Sequence, residues 1–179
     1  QAAAELTQSG MVSIVGLEKD KVAALVDQVR QDDEVLQLAN YLCPGNIVVS
    51  GHSQACRRLE EPANEAGARM VMPLTVAGAF HTPLMQPAVE RLTGVLENVT
   101  LQAPRIPVIS NVDAQAHDDP EEIRQLLLQQ VVSPVLWEDS MNKLLADSTE
   151  QFYEIGPGRV LRGLLKRIAR KVPCENISC

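Results

Sequence analysis

The stretch Val76-Ala77-Gly78-Ala79-Phe80-His81-Thr82-Pro83-Leu84-Met85 decides how the rest of the chain is organised. A strand-like apolar run, residues 70–74, precedes it, and a helical pattern, residues 84–95, follows it. Thr82 and Pro83 suit a helix start, because Pro is favoured in a first turn. His81 is therefore predicted to lie on a strand-to-helix connection, where α/β proteins often display reactive side chains. A surface or capping role is the alternative.

The composition is that of an ordinary globular domain. The chain has 179 residues, of which 45% are hydrophobic and 22% charged, so it can form one sizeable core or two small ones. A formal net charge of −7 argues against a general phosphate-backbone binder, and 3% aromatic residues argue against a base-stacking surface. We therefore expect no binding to nucleic acid.

The cysteines and the apolar runs point to an intracellular protein without a metal site. Cys43, Cys56, Cys174 and Cys179 form no CxxC pair, so we expect reduced thiols. No apolar run approaches the ~18 residues of a membrane span. Residues 1–6 lack the basic leader and apolar core of a signal peptide. They resemble the middle of a helix, which predicts that the sequence begins partway through a fold.

The first part of the chain predicts a small unit of alternating strands and helices. Residues 1–9 favour a helix that stops at Ser9-Gly10. Periodicity then predicts a strand at 11–15, a helix at 18–30, strands at 35–42 and 47–49, a helix at 53–66 and a strand at 69–74. Pro62 should end or kink the second helix near Glu61. The order βαββαβ over residues 11–75 is that of a ferredoxin-like unit.

The second part alternates helices and strands in another way. Helices are predicted at 84–99, 123–131, 137–145 and 160–169, and strands at 106–110 and 152–155. This alternation favours a parallel sheet covered on both faces, and hence the α/β class. Two strands are too few for a complete sheet, so we expect part of it to be missing from the sequence.

Three further segments each allow a functional and a structural interpretation. Gly51-His52-Ser53-Gln54-Ala55 nearly spells the GxSxG nucleophile elbow, but Ala55 replaces the last glycine and Ser53 also suits a helix N-cap. Gly156-Pro157-Gly158 could cradle a phosphate or form a tight turn. The basic segment that ends the chain suits a helix dipole or the docking of an acidic partner; its cations are Arg159, Arg162, Lys166, Arg167, Arg170 and Lys171.

Five stretches follow one another in the order and spacing of a known enzyme family. They are residues 39–51 (ANYLCPGNIVVSG), 78–85 (GAFHTPLM), 109–112 (ISNV), 130–137 (QVVSPVLW) and 154–158 (EIGPG). Together they resemble the malonyl-CoA:acyl carrier protein transacylases. The resemblance implies an α/β-hydrolase-like acyltransferase subdomain with a ferredoxin-like (βαββαβ) small subdomain. Residues 1–10 and 76–179 would belong to the large subdomain, and residues 11–75 to the small one.

The resemblance also implies a ping-pong reaction in fatty acid or polyketide synthesis. A serine takes malonyl from coenzyme A and passes it to the phosphopantetheine thiol of acyl carrier protein. His81 would be the general base, oriented by the main-chain carbonyl of Gln130. Phe80 resembles the malonyl-selective form of the motif, and Asn40 lies in a substrate-binding stretch where Leu42 replaces a second asparagine. Malonyl-CoA is then a substrate, and no bound cofactor or metal is implied.

The sequence also allows two functions other than acyl transfer. The family's nucleophilic serine corresponds to a position upstream of Gln1, so we expect this chain alone to carry the base without the nucleophile and to be inactive. It could instead be a non-catalytic module that binds carrier protein through Arg162, Lys166 and Arg167, or a hydrolase using Ser53 with His81. The expected location is the cytoplasm, with an organelle matrix as the alternative.

Overall fold

The computed structural model describes residues 8–178. Its strands are β1 Ser9–Val15, β2 Leu36–Cys43, β3 Asn46–His52, β4 Met70–Leu74, β5 Val108–Ile109, β6 Ala116–His117, β7 Val135–Leu136, β8 Phe152–Ile155 and β9 Cys174–Ile177. Its helices are α1 Lys19–Val29, α2 Ser53–Arg58, α3 Glu60–Glu65, α4 Gln86–Leu96, α5 Pro120–Gln130, α6 Trp137–Ala146 and α7 Val160–Ile168, and a 3₁₀ turn, Pro83–Met85, precedes α4. Within the described part of the chain, no helix is long and apolar enough to cross a membrane.

The main sheet contains five strands in the order β4-β1-β3-β2-β7. β1 runs antiparallel to β3 and β4, and β2 runs antiparallel to β3. The first four strands and the helices between them therefore have the βαββαβ order that the sequence predicted. β7 comes from the second half of the chain and pairs parallel to β2 at the edge of this sheet. It joins the two halves of the chain.

The two faces of the main sheet carry different cores, because successive strand residues point to opposite faces. On one face, α1, α2 and α3 cover a large cluster whose most buried members include Ile14, Leu36, Val49, Val22 and Leu59. The other face carries a small cluster of Met11, Ala39 and Val48, against which Leu74 and Phe80 pack. This second face is the one that meets the His81 stretch.

One prediction for the first half of the chain is wrong, and another is confirmed with a shift of two residues. Ser9 and Gly10 belong to β1, in register with His52 and Gly51, and do not end a helix; the helix predicted before them falls on residues outside the described range. The break in the second predicted helix lies at Leu59, earlier than expected. A proline ring crowds the carbonyl four residues before it, so α2 ends at Arg58 and Pro62 sits in the first turn of α3, where its missing N–H costs little.

The second half contains three strands that the sequence analysis missed, namely β6, β7 and β9. β5 and β6 form a short antiparallel pair, whereas β8 and β9 pair parallel, from Phe152 opposite Cys174 to Ile155 opposite Ile177. The expected parallel sheet is thus represented by two separate parallel pairings, β8 with β9 and β2 with β7. A run of two to four residues is too short to show the alternation by which a strand is recognised.

Arg124 holds α4 and α5 together at the ends farthest from His81. It donates from Nη2 to the carbonyl of Val99 at 2.9 Å, and from Nη1 to the carbonyl of Leu96. The last carbonyls of a helix have no partner within it, so a guanidinium from a neighbouring helix satisfies them well. α4 follows the His81 turn, and α5 ends at Gln130. Arg124 therefore connects the helix that follows His81 with the helix that ends at Gln130.

His117 is buried between two carboxylates at the start of α5. Its Nδ1 lies 3.1 Å from Oε2 of Glu122, and its Nε2 lies 3.0 Å from Oδ2 of Asp113. The hydrogen bond with Glu122 raises the pKa of His117; burial opposes this, and the contact with Asp113 adds to it. A protonated His117 therefore links the turn between β5 and β6 to the first turn of α5.

We predict that His117→Gln lowers the free energy of unfolding at pH 6 more than at pH 9. A histidine whose pKa is higher in the folded state stabilises that state fully below its unfolded pKa, and the contribution disappears as the pH rises through the folded pKa. Urea unfolding of both proteins at the two pH values measures the difference. Asp118→Asn, which removes an exposed neighbouring carboxylate, is the control. A loss equally large at both pH values would contradict the assignment.

Candidate active site around His81

His81 lies where the sequence predicted, between the end of β4 and the start of α4. The turn is shaped by Thr82, whose hydroxyl donates to the carbonyl of Ala79 at 2.8 Å and accepts from the N–H of Leu84 at 3.3 Å. Thr82 thus caps the single turn Pro83–Met85. Because Thr82 and Ala79 are both fully buried, the turn has a fixed base from which His81 projects.

The backbone of His81 is held in the left-handed region, with φ at 64°. A residue with a Cβ reaches this region at a cost of roughly 1–3 kcal/mol, which the surrounding structure must offset. Two hydrogen bonds do so. The N–H of His81 donates to the carbonyl of Val131 at 3.0 Å, and the side-chain amide of Gln37 donates to the carbonyl of His81 at 3.0 Å. The sequence analysis missed Gln37, because nothing in its local pattern indicates a contact 44 residues away.

The imidazole of His81 points at the end of α5. Its Nδ1 lies 2.8 Å from the main-chain oxygen of Gln130, so the contact implied by the resemblance is present. A carbonyl oxygen only accepts, so Nδ1 must carry the proton and the neutral ring presents an unprotonated Nε2. The Gln130 side chain donates in turn to the carbonyl of Ser133 at 3.1 Å, which stiffens the segment that supplies the oxygen. This geometry suits a group that accepts a proton through Nε2.

Phe80 lies beside the imidazole and is anchored on the main sheet. Its ring centroid is 6.4 Å from that of His81, with the two planes tilted by 52°, an ordinary spacing for aromatic neighbours. The ring packs on the cluster of Met11, Ala39 and Val48. The position of Phe80 is therefore set by the second face of the sheet, and the ring forms one wall next to His81.

Asn40 lies in the middle of the main sheet, in register with Val48 of β3 and Val135 of β7. A β-bulge interrupts the pairing just before it, between Leu38 and Asn40. Among residues 8–178, no hydrogen bond joins its side chain to His81. Leu42, on the same strand, packs against the small cluster of the second face. The structure therefore places Asn40 and Phe80 around the same small core without bringing Asn40 and His81 into contact.

Of the predicted docking residues, Arg167 lies at the other end of the main sheet. Arg162, Lys166 and Arg167 are exposed on α7, and Arg167 lines a groove of about 380 Å³ together with Arg69 and the turn at Gly45. The start of α7 is capped by Glu154, whose carboxylate accepts from the N–H groups of Leu161 and Arg162, both at 3.0 Å. This cap was also missed, because it lies several residues before the helix.

The near-GxSxG segment and the Gly-Pro-Gly segment have structural roles. His52 rather than Ser53 is the N-cap of α2, so the N-cap prediction is wrong by one residue, and Ser53 begins the helix. Ser53 lines a cavity of about 220 Å³ whose walls include Leu74 and Val76 but not His81. Gly156 and Gly158 have φ values of 126° and 90°, which few residues other than glycine adopt. The tight-turn interpretation of that segment accounts for both.

Two bacterial relatives are similar along most of the chain. The malonyl CoA-acyl carrier protein transacylase of Bacillus subtilis (strain 168) is 40% identical over 171 residues, covering 96% of this chain and 54% of the relative. The transacylase of the same name from Staphylococcus aureus (strain COL) is 38% identical over 167 residues, covering 93% and 54%. The chain therefore spans about half the length of the curated relatives it matches.

Two solved structures are also similar along most of the chain. The acyl carrier protein S-malonyltransferase of Vibrio cholerae superposes with a TM-score of 0.90 at 36% identity, covering 95% of this chain and 55% of that one. The malonyl CoA-acyl carrier protein transacylase of Coxiella burnetii gives 0.93 at 31% identity, covering 98% and 56%. Residues 2–177 match the acyl transferase domain family. Since this match runs through nearly the entire sequence, the chain belongs to the acyl transferase domain family.

Proposed function

We propose that the chain is the base-bearing part of an enzyme that transfers malonyl from coenzyme A to the phosphopantetheine thiol of acyl carrier protein. Such transfer serves fatty acid or polyketide synthesis. The observation that carries the proposal is the 2.8 Å contact between Nδ1 of His81 and the carbonyl of Gln130, because it leaves Nε2 free to accept a proton. The names of the transacylases to which the chain is similar give the substrate and the acceptor.

In the proposed reaction His81 moves one proton in each half-reaction. Nε2 takes the proton of a serine hydroxyl while the serine oxygen attacks the thioester carbonyl, and then gives it to the sulfur of the departing coenzyme A. In the second half-reaction Nε2 takes the proton of the carrier thiol, whose sulfur attacks the malonyl-serine ester, and returns it to the serine oxygen. We infer that another segment supplies the serine, upstream of residue 1. No bound cofactor or metal is needed for these steps.

Phe80 and Asn40 are proposed to bind the acyl group. Phe80 is fixed by its packing on Met11, Ala39 and Val48, so it cannot easily move aside for a methyl branch on the malonyl group. A pocket of this kind discriminates one methyl by only ~1–3 kcal/mol, so it gives preference and not exclusion. Asn40 lies one sheet position from the same cluster, in register with Val48, and would offer its amide to a polar group of the substrate.

The proposal includes the division of the chain into subdomains. Residues 11–75 would form the ferredoxin-like small subdomain, and residues 1–10 and 76–179 would belong to the large acyltransferase subdomain. The exposed cations Arg162, Lys166 and Arg167 would dock the acidic carrier protein, because complementary charge speeds and orients an encounter. The proposed location is the cytoplasm, or else an organelle matrix.

A non-catalytic carrier-binding module is the second candidate. It is favoured by the position of Arg167, which lines a groove with Arg69 at the Gly45 end of the sheet, away from His81. A carrier protein bound there would not need the imidazole at all. The two candidates differ in whether the chain takes part in acyl transfer when a serine-bearing segment is present.

We predict that the chain alone forms no covalent adduct with malonyl-CoA. Intact-mass measurement after mixing should show the unmodified mass, because the proposed nucleophile lies outside the chain. Addition of the upstream half of a related transacylase should produce a malonyl adduct on that half, which supports the enzyme. An adduct on the chain itself would contradict the proposal. If the complex with the added half forms without an adduct, the binding module is the better account.

In the reconstituted enzyme, we predict that His81→Asn lowers the transfer rate by about 10²–10⁴-fold, the usual contribution of a general base. Asn suits the test because it tolerates the left-handed backbone that His81 adopts, so the turn is preserved while Nε2 is lost. The thermal midpoint should change little. Retention of more than about a tenth of the rate would exclude His81 as the base.

Replacement of both Lys166 and Arg167 by Glu should raise the KM for carrier protein more than the KM for malonyl-CoA. The reason is that reversed charge on α7 opposes the approach of an acidic protein but leaves the acyl site alone. The matched control is Arg91→Glu with Arg105→Glu, which makes the same charge change at two other exposed arginines. Equal effects on the two KM values, or equal effects of the control, would exclude α7 as the docking surface.

A further inference from the structure

His81 is held at both ends of its backbone by different parts of the chain. Its N–H donates to Val131, which follows α5, whereas its carbonyl accepts from Gln37 of β2. The first bond restrains the φ angle of His81, and the second restrains its ψ angle. Together they fix the direction of the Cα–Cβ bond, and with it the ring that reaches the Gln130 oxygen.

Gln37 itself rests on a rigid support. It is in register with Ser50 of β3, and the neighbouring pair is Leu36 with Gly51. A Cβ at Gly51 would lie 2.1 Å from the carbonyl oxygen of Val35, so this close approach of β2 to β3 requires glycine. The start of β2 therefore packs very closely against the end of β3. This close packing restrains the position of Gln37.

The end of β3 adds two further restraints at the same place. The N–H of Val35 donates to Nδ1 of His52 at 2.8 Å, and the N–H of His52 donates to the carbonyl of Val35 at 2.9 Å. His52 and Val35 therefore close a ring of hydrogen bonds just before Gln37 in the chain. A support of this kind is what a side chain needs if it is to hold a strained residue in one conformation.

The surroundings of Gln37 show that its bond to His81 is specific. Cross-strand partners share a face, so Gln37, Ser50 and Met11 all lie on the face of the sheet that meets Phe80. The hydroxyl of Ser50 is fully buried and makes no hydrogen bond within the described residues. The side-chain amide of Gln37 therefore donates to the His81 carbonyl and leaves the hydroxyl of Ser50, its cross-strand partner, without a hydrogen bond.

We infer that Gln37 is a positioning residue for His81: its amide holds the His81 carbonyl and so keeps the imidazole in the tautomer and orientation set by Gln130. This inference rests on the proposed role of His81 as the base. Gln37 does not touch the reacting atoms. It makes the orientation of the imidazole depend on β2, the strand that also carries Asn40.

The test replaces Gln37 by Met, which keeps the length of the side chain but cannot donate. In the full chain, the His81 amide still donates to Val131, but the turn loses one hydrogen bond and opens more easily, so exchange at this amide should become about three- to tenfold faster. The ring ¹⁵N chemical shifts should change from those of a single Nδ1–H form to a mixture of the two tautomers. Ser50→Ala, which removes the unbonded hydroxyl next to it, is the matched control and should change neither signal.

The outcomes separate positioning from general stability. If Gln37→Met leaves the His81 amide exchange and the ring shifts as they are in the unaltered chain, the inference is wrong. It is also wrong if amides throughout the main sheet exchange faster by the same factor as His81. In the reconstituted enzyme, kcat should fall while the KM for malonyl-CoA stays constant. If His81→Asn does not slow transfer but Gln37→Met still changes the ring shifts, positioning stands and the base role fails.

Discussion

The hydrogen bond between Nδ1 of His81 and the carbonyl of Gln130 joins two segments 49 residues apart. The bond satisfies the carbonyl of Gln130 and fixes the tautomer of His81. The last carbonyls of α5 lack partners within the helix, and an imidazole without a fixed partner would sample two tautomers. Because the oxygen belongs to the main chain, it cannot lose its accepting character through protonation or rotate away as a side chain does. The orientation and the tautomer of the His81 ring depend on this bond.

The bond requires that α5 and the His81 turn both lie in the correct place relative to the main sheet. Arg124 of α5 donates to carbonyls at the end of α4, and Phe80 packs the turn against the main sheet. The large core on the opposite face, around Ile14 and Leu36, contributes the rigidity of the strands. The sheet is thus stabilised from one face, while the other face is left with few apolar side chains and meets the turn.

The sequence predicted the parts of this arrangement that depend on local pattern. The helix after residue 18, the strand Phe152–Ile155 and the position of His81 between a strand and a helix all follow from periodicity and turn residues. The contact between His81 and Gln130 came from resemblance. The cap that Glu154 provides for α7 and the bond from Gln37 to His81 could not be predicted, because each joins residues that no spacing rule relates. The strands β6 and β7 have only two residues each and are defined by their pairing with β5 and β2.

The His81 turn and the groove at Arg167 lie at opposite ends of the main sheet. β1 has seven residues. It begins at Ser9, whose hydroxyl accepts from the N–H of Ala79 in the His81 turn, and it ends at Val15, which lines the groove with Arg167. At ~3.3 Å for each residue, the two ends are roughly 20 Å apart. In the proposed function, a carrier protein that docks at Arg167 therefore meets the main sheet at the end away from the imidazole. In the proposed function, the carrier thiol would reach His81 on the flexible phosphopantetheine arm, so the proposed docking residue and the proposed base lie at separate places on the chain.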